Sequence, residues 1–200
     1  MEDTHANQLL ALAGAHGMLR TRDLKERGIA RMTLKRLVNQ GKLLRVARGV
    51  YMHPEAEITE HHSLAEASTR FPAGVVCLLS ALAFHDLSDE APFEVWMACE
   101  RGKTRPQITQ LPIRLVTFAP KHFHFGVQTH VIEGVNVPIT TPAKTVVDCF
   151  KFRGQVGLEP CLAALKDYRR QKAGSLEALI QAARVCRMTN VIKPYMEALW

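Results

Sequence analysis

Two glycines set the terms for this chain. In TRDLKERGIARMTLKRLVNQGKLLRVARGVY, which runs from Thr21 to Tyr51, Gly28 and Gly41 stop two segments that each have room for only a brief helix. In the first, Thr21 is placed to cap a helix through its side-chain oxygen, Asp23 suits the positive end of the helix dipole, and Leu24 is an inward anchor. In the second, Leu34, Leu37 and Val38 recur at three- and four-residue spacing, so a helix is expected from Arg31 to about Gln40 with one apolar face. Beyond Gly41, Leu43 to Val46 read as a short strand and Gly49 to Tyr51 as its return, with Ala47, Arg48 and Gly49 at the tip.

Upstream, Thr4 to Gly14 is expected to form an amphipathic helix whose Leu9, Leu10 and Leu12 pack beneath the other two, and Met18 to Arg20 a strand beside the hairpin. Helix, strand, helix, helix, hairpin is the order of a winged helix-turn-helix, here assigned to residues 1–53. His53-Pro54 breaks the pattern and marks the expected boundary.

The face of the second helix away from its leucines carries Arg31, Thr33, Lys35, Arg36 and Asn39. These side-chain types hydrogen-bond to phosphates and to base edges in a major groove. Together with Arg22, and with Arg45 and Arg48 on the hairpin, they are the expected contacts to double-stranded DNA. Charge supports the placement: from Arg20 to Arg48 ten basic residues face two acidic ones, a local +8 in a chain whose total is +7. The positive field therefore belongs to one module, as phosphate binding requires. A helical domain with a solvated basic face has a similar composition; the order of the elements favours the DNA reading.

Residues 54–200 read as a larger α+β domain with a small antiparallel sheet and C-terminal helices. Helices are expected over Glu60–Arg70, Val75–Leu87 (a strongly apolar run and the expected spine), Pro142–Phe152, Leu158–Gln171, Ser175–Arg187 and Val191–Leu199. Strands are expected over Phe93–Cys99, Ile113–Phe118, Val127–Ile132 and Val135–Ile139. Thr141 and Ser175 are positioned as N-caps.

With 47% hydrophobic residues the chain can bury a core. Its apolar runs fall short of the roughly 20 residues of a membrane span, and MEDTHANQLL lacks the basic and apolar regions of a signal peptide, so a cytoplasmic protein without membrane association is expected. Five widely spaced cysteines form no Cys-x-x-Cys pair and are expected as free, buried thiols.

Enzymatic signatures are weak. Neither GxGxxG nor GxxxxGK[ST] occurs, and Arg101-Gly102-Lys103-Thr104 lacks the upstream glycine of a phosphate loop. His122 and His124, two apart, share a face if they lie on a strand, with His130 and Glu133 the remaining candidates for a metal-dependent nucleic-acid-processing centre; a surface loop accounts for them more simply. His61 and His62, adjacent on a helix, point apart. Asp86, Asp89, Glu90 and Glu94 lack the following Glu-x-Lys of a nuclease. Ser80, without a Gly-x-Ser-x-Gly elbow, is expected to be packed and bonded back to its own helix. No enzyme, cofactor or metal site is read.

Several stretches taken together resemble the AbiEi-type antitoxins, transcriptional regulators of abortive-infection (type IV toxin-antitoxin) systems. They are the hairpin end Arg48-Gly49-Val50-Tyr51, the run Leu79-Ser80-Ala81-Leu82-Ala83-Phe84-His85-Asp86-Leu87, and the run Val137-Pro138-Ile139-Thr140-Thr141-Pro142-Ala143-Lys144-Thr145-Val146-Val147-Asp148. The family's helix usually has glycine where this chain has Asp86. The resemblance implies a repressor that binds an inverted-repeat operator of its own operon and an effector domain that neutralises a nucleotidyltransferase-like toxin in phage defence. Within the second domain Ser80 and His85 are expected to pack helices and Asp148 to anchor a neighbouring backbone. A protein-interaction module with no specific DNA site is the alternative. Lys166, Arg169, Arg170 and Lys172 offer a possible second DNA contact.

Overall fold

The computed structural model describes residues 2–47, 49–56, 58–89, 91–103 and 111–199, and for residues 2, 3, 15, 16, 20, 22, 23, 26 and 47 the backbone alone. The chain divides into two compact units, Met1–Arg70 with Val131–Asn136, and Phe71–His130 with Val137–Trp200. These limits are drawn differently from the sequence division at residues 53 and 54: the helix after Pro54 and the tip of a later hairpin go with the first unit.

The first unit runs α1 (Glu2–His16), β1 (Met18–Arg20), α2 (Thr21–Glu26), α3 (Arg31–Asn39), β2 (Leu44–Ala47), β3 (Val50–Met52) and α4 (His62–Arg70). Ala6, Leu9 and Ala13, spaced to share one face of α1, are buried with Leu24, Leu34, Leu37 and Leu43 in a single core. Gly41 ends α3 in a left-handed conformation, φ +69°, which lets the Lys42 amide donate to the Leu37 carbonyl at 2.9 Å. The three strands form an antiparallel sheet in the order β1-β3-β2. The ladder slips between Arg45 and Ala47, a bulge that bends the hairpin near its tip.

Two local expectations change here. Thr21 does not simply cap α2: its hydroxyl donates to the Gly49 carbonyl at 3.1 Å, beside an amide bond to the same oxygen at 2.9 Å. Glu133, at the tip of the later hairpin, accepts from the Thr59 amide and hydroxyl, both at 2.9 Å, and contacts His62 Nδ1 at 2.7 Å. The carboxylate placed by sequence among candidate metal ligands is thus already engaged.

The second unit contains β4 (Val75–Val76), α5 (Leu78–Phe84), β5 (Val95–Glu100), β6 (Ile113–Phe118), α6 (Pro120–His124), α7 (Pro142–Lys151), α8 (Arg153–Val156), α9 (Leu158–Arg170), α10 (Leu176–Val185) and α11 (Thr189–Leu199). Strands β7 (Val127–Ile132) and β8 (Val135–Thr140) complete a five-stranded sheet in the order β6-β5-β4-β8-β7. The small antiparallel sheet expected from the sequence is antiparallel only in part: β4 runs antiparallel to β5, but β5–β6 and β4–β8 are parallel. Strand direction depends on crossovers that local alternation does not encode.

The expected helix Val75–Leu87 splits into β4 and the short α5, because Val75 and Val76 pair with Ala98 and Met97. A fully apolar run has no period with which to tell a buried strand from a buried helix. The spine is α7 instead: every residue from Ala143 to Phe150 is buried, and α5, α9, α10 and α11 all pack on it. Ser175 caps α10 by accepting from the Ala178 amide at 3.1 Å, whereas Thr141 occupies the N-cap of α7 without a side-chain cap bond. The five cysteines are free and buried. No helix among the described residues is long and apolar enough to cross a membrane.

Candidate nucleic-acid interface

Helix α3 is held by Leu34 and Leu37, 3% and 1% exposed, and this fixes which residues face outward. Arg31, Lys35 and Asn39, one helical turn apart, are exposed; Thr33 and Arg36 are half-buried. Arg45 lies exposed on β2, opposite Tyr51 of β3. Arg31, Lys35, Asn39 and Arg45 thus border one hollow of about 360 Å³, with Thr21 and Tyr51 in its wall. Thr33 and Arg36 do not line it. The side chain of Arg22 and the whole of Arg48 lie outside the described residues.

The hollow exists because the hairpin is tied back to α2. A Cβ on Gly49 would stand 3.0 Å from Thr21 Oγ1, and Gly49 has φ +79°, so only glycine fits without strain. The tie positions Arg45 beside α3 and leaves a concave, cation-rimmed surface next to a protruding helix. Sequence reasoning missed one outward residue. Met32 is 74% exposed in the first turn of α3, and the only signal was its place opposite the leucines.

The comparisons bear on this module first. Residues 7–54 match the family described as transcriptional regulator, AbiEi antitoxin. The match covers α1 through β3, the elements that build the hollow. Over 90% of the chain the fold is also similar to the crystal structure of the RV2827C protein from Mycobacterium tuberculosis, with a TM-score of 0.58 and 16% identity over 71% of that chain; at this identity the likeness concerns the fold alone. No curated protein matches the sequence.

The remaining stretches that carried the AbiEi resemblance lie in the second unit and are built into its packing. Asp86 takes the left-handed conformation, φ +55°, where glycine is the default, and the turn closes through a 2.8 Å bond from the Leu87 amide to the Leu82 carbonyl. Ser80 does not bond back to its helix: it accepts from the Trp96 amide at 2.9 Å and donates to the Glu94 carbonyl at 3.4 Å, joining α5 to β5. His85 Nε2 meets the Thr140 carbonyl at 2.7 Å, and burial lowers its pKa, so the neutral ring donates. Asp148 does not anchor a backbone; it pairs with Lys144, and the Cys186 thiol points at its other oxygen, 3.6 Å away. Burial raises the pKa of Asp148 against the opposing pull of Lys144. Lys144 Nζ also sits over the Phe118 ring at 4.4 Å.

The metal and nucleophile candidates disperse. His122 and His124 fall on helix α6, not on a strand, so they no longer share a face; His122 accepts from Lys151 and His124 faces Glu100 at 3.4 Å. Glu94 pairs with Arg114 at 3.6 Å, and Glu90 lies outside the described residues. Burial pushes the thiols of Cys77 and Cys149 well up, Cys161 to about 11 and Cys186 to about 12, so these cysteines stay protonated at neutral pH. Lys166, Arg169 and Arg170 on α9 and Lys172 in the turn after it are exposed, with Arg170 paired to Asp167 at 2.8 Å.

Proposed function

We propose that residues 1–53 are a winged helix-turn-helix that binds double-stranded DNA, and that the protein is a non-enzymatic repressor of its own operon. Helix α3 enters the major groove, where the outward Arg31, Lys35 and Asn39 and the half-buried Thr33 and Arg36 meet phosphates and base edges, while Arg45 and Arg48 hold the hairpin against the backbone and Arg22 adds a phosphate contact. The observation that carries the reading is the convergence of Arg31, Lys35, Asn39 and Arg45 on one concave surface beside an exposed helix. Phosphate contacts fix register while base-edge contacts specify sequence, and both kinds of side chain are present here. The family match over residues 7–54 supports the same reading.

From the resemblance of the runs at residues 79–87 and 137–148 to AbiEi-type antitoxins, residues 54–200 are the effector domain of an antitoxin, its toxin a nucleotidyltransferase-like enzyme of a phage-defence system. The operator is an inverted repeat bound by two copies, and the protein acts in the cytoplasm.

The deciding experiment is binding of the purified protein to its own promoter fragment and to a scrambled fragment across a salt series. A preference for the promoter that persists at physiological salt supports the repressor. Equal, steeply salt-dependent binding to both fragments removes it and leaves a basic surface on a protein-interaction module. An adjacent reading frame for a nucleotidyltransferase-like protein, and growth rescue when the two are co-expressed, test the antitoxin role separately.

A further inference from the structure

The second unit holds a feature that the DNA reading does not use. Beside β6, α6, α7 and the end of α10 lies a concave pocket of about 410 Å³. Its cationic wall is made by Arg101, Lys121, Lys151, Arg184 and Arg187, residues scattered over almost half the chain and brought together only by the fold. Among the described residues, Arg101, Lys121, Arg184 and Arg187 pair with no acidic side chain. Among the described residues the one carboxylate in the lining is Asp148, already occupied by the buried Lys144.

Lys151 is fixed in place. Its Nζ donates to His122 Nδ1 and to the Cys186 carbonyl, both at 3.0 Å, which orients the ammonium group from two sides. His122, kept neutral by burial and by Lys151 itself, acts as acceptor and adds no charge. Stacked Phe118 and Phe152, ring centres 5.3 Å apart, supply an aromatic wall.

Arg187 stands in a tight turn at the edge of this pocket. It follows α10 at φ +58°, where the Met188 amide reaches back to the Ala183 carbonyl at 2.7 Å. Glycine is the favoured residue in such a turn, and a side chain there costs stability. Lys172 adopts the same conformation, so it is its place at the rim of the pocket that makes Arg187 relevant.

We propose that this pocket binds a nucleoside di- or triphosphate, the phosphates meeting Lys151, Arg184 and Arg187 and the base lying against Phe152. Converging cations repel one another and gain most from a multiply charged anion. The pocket's volume is that of a small-molecule site, and its concavity suits a mononucleotide better than a duplex backbone, which lies along open surface.

The test is calorimetric titration of the full chain with ATP, GTP, ADP, AMP, adenosine and inorganic pyrophosphate. The expected result is binding that strengthens from mono- to triphosphate, with adenosine silent and pyrophosphate weaker than ADP. The double variant Arg184→Gln/Arg187→Gln lowers ATP affinity by about tenfold or more, while Lys166→Gln/Arg169→Gln on α9 leaves it unchanged. Arg187→Gly separates binding from folding: its melting temperature holds or rises while ATP affinity falls. No binding of any phosphate overturns the site. So does an equal loss in the α9 variant, which reports only bulk charge. Pyrophosphate binding as tightly as ATP overturns the nucleoside assignment, and random duplex binding through Arg184 and Arg187 with no response to nucleotides assigns the surface to nucleic acid.

Discussion

Lys144 and Asp148 face each other one turn apart on α7 with 0% and 1% of their side chains exposed, a salt bridge sealed from water at the centre of the second unit. Taking two ions out of water costs several kcal/mol each, so such a pair holds only while both members are present.

Lys144→Met or Asp148→Asn alone is therefore expected to destabilise the protein by about 3–5 kcal/mol, whereas Lys144→Met/Asp148→Asn costs far less than the two single changes together. Urea unfolding of the four proteins measures the coupling. The pKa of Asp148 is raised above its ordinary 3.8, chiefly by burial. A raised value means that the native state holds the proton more tightly, so the associated stability is present below the unfolded pKa and is lost as pH rises through the folded one. Removing Lys144 takes away the charge that opposes this rise, so Lys144→Met should regain stability as pH is lowered, once Asp148 takes up a proton.

His85 gives the opposite sign. Its pKa is lowered from 6.5, first by burial, so the neutral ring bonded to Thr140 is the native form. Stability from this group is present above pH 6.5 and is lost as pH falls through the lower folded value. Thermal melts from pH 7.5 to 5 should show a falling melting temperature. His85→Gln, which keeps an N–H donor, should flatten part of that fall and leave the share due to His122, whose pKa is lowered by burial and by Lys151.

On the DNA side, Lys35→Ala should lower promoter affinity and reduce the salt slope by about one ion, whereas Asn39→Ala should cost about 1–3 kcal/mol at particular base pairs with little change in slope. Met32→Ala, which removes an exposed apolar side chain from the same helix, should weaken preference at a thymine methyl and leave the slope intact. Unchanged binding by Lys35→Ala and Arg36→Ala at low salt removes α3 from the interface.

The tie between Thr21 and Gly49 can be broken from either end. Thr21→Val loses a half-buried hydrogen bond worth about 0.5–1.5 kcal/mol. Gly49→Ala puts a Cβ 3.0 Å from Thr21 Oγ1 at φ +79° and should cost about 1–2 kcal/mol. Chemical denaturation checks both. Each should also weaken promoter binding, because Arg45 loses its fixed place beside α3.

Local chemistry was enough to read the elements of the first unit up to β3. Short segments bounded by Gly28 and Gly41, with leucines at helical spacing, allow few alternatives, and the helix, strand, helix, helix, hairpin order is present in the structure. Charge along the same stretch located the cations that rim the hollow, but which residues share that surface depended on how α3 lies against the hairpin: Arg31, Lys35 and Asn39 came together with Arg45, and Thr33 and Arg36 did not.

In the second unit, segments with a clear period or a cap, such as Ile113–Phe118 and the helix after Ser175, were legible because backbone pattern and turn chemistry are local. Tertiary structure decided what the sequence carries no periodic signal for. It turned Val75-Val76 into a strand by offering a partner edge, made α7 the spine rather than α5, and buried the Lys144–Asp148 pair, whose one-turn spacing is local but whose burial is set by the helices packed on α7. It also gathered Arg101, Lys121, Lys151, Arg184 and Arg187 around one pocket, a convergence set by chain crossovers and helix packing, which act between residues far apart in the chain.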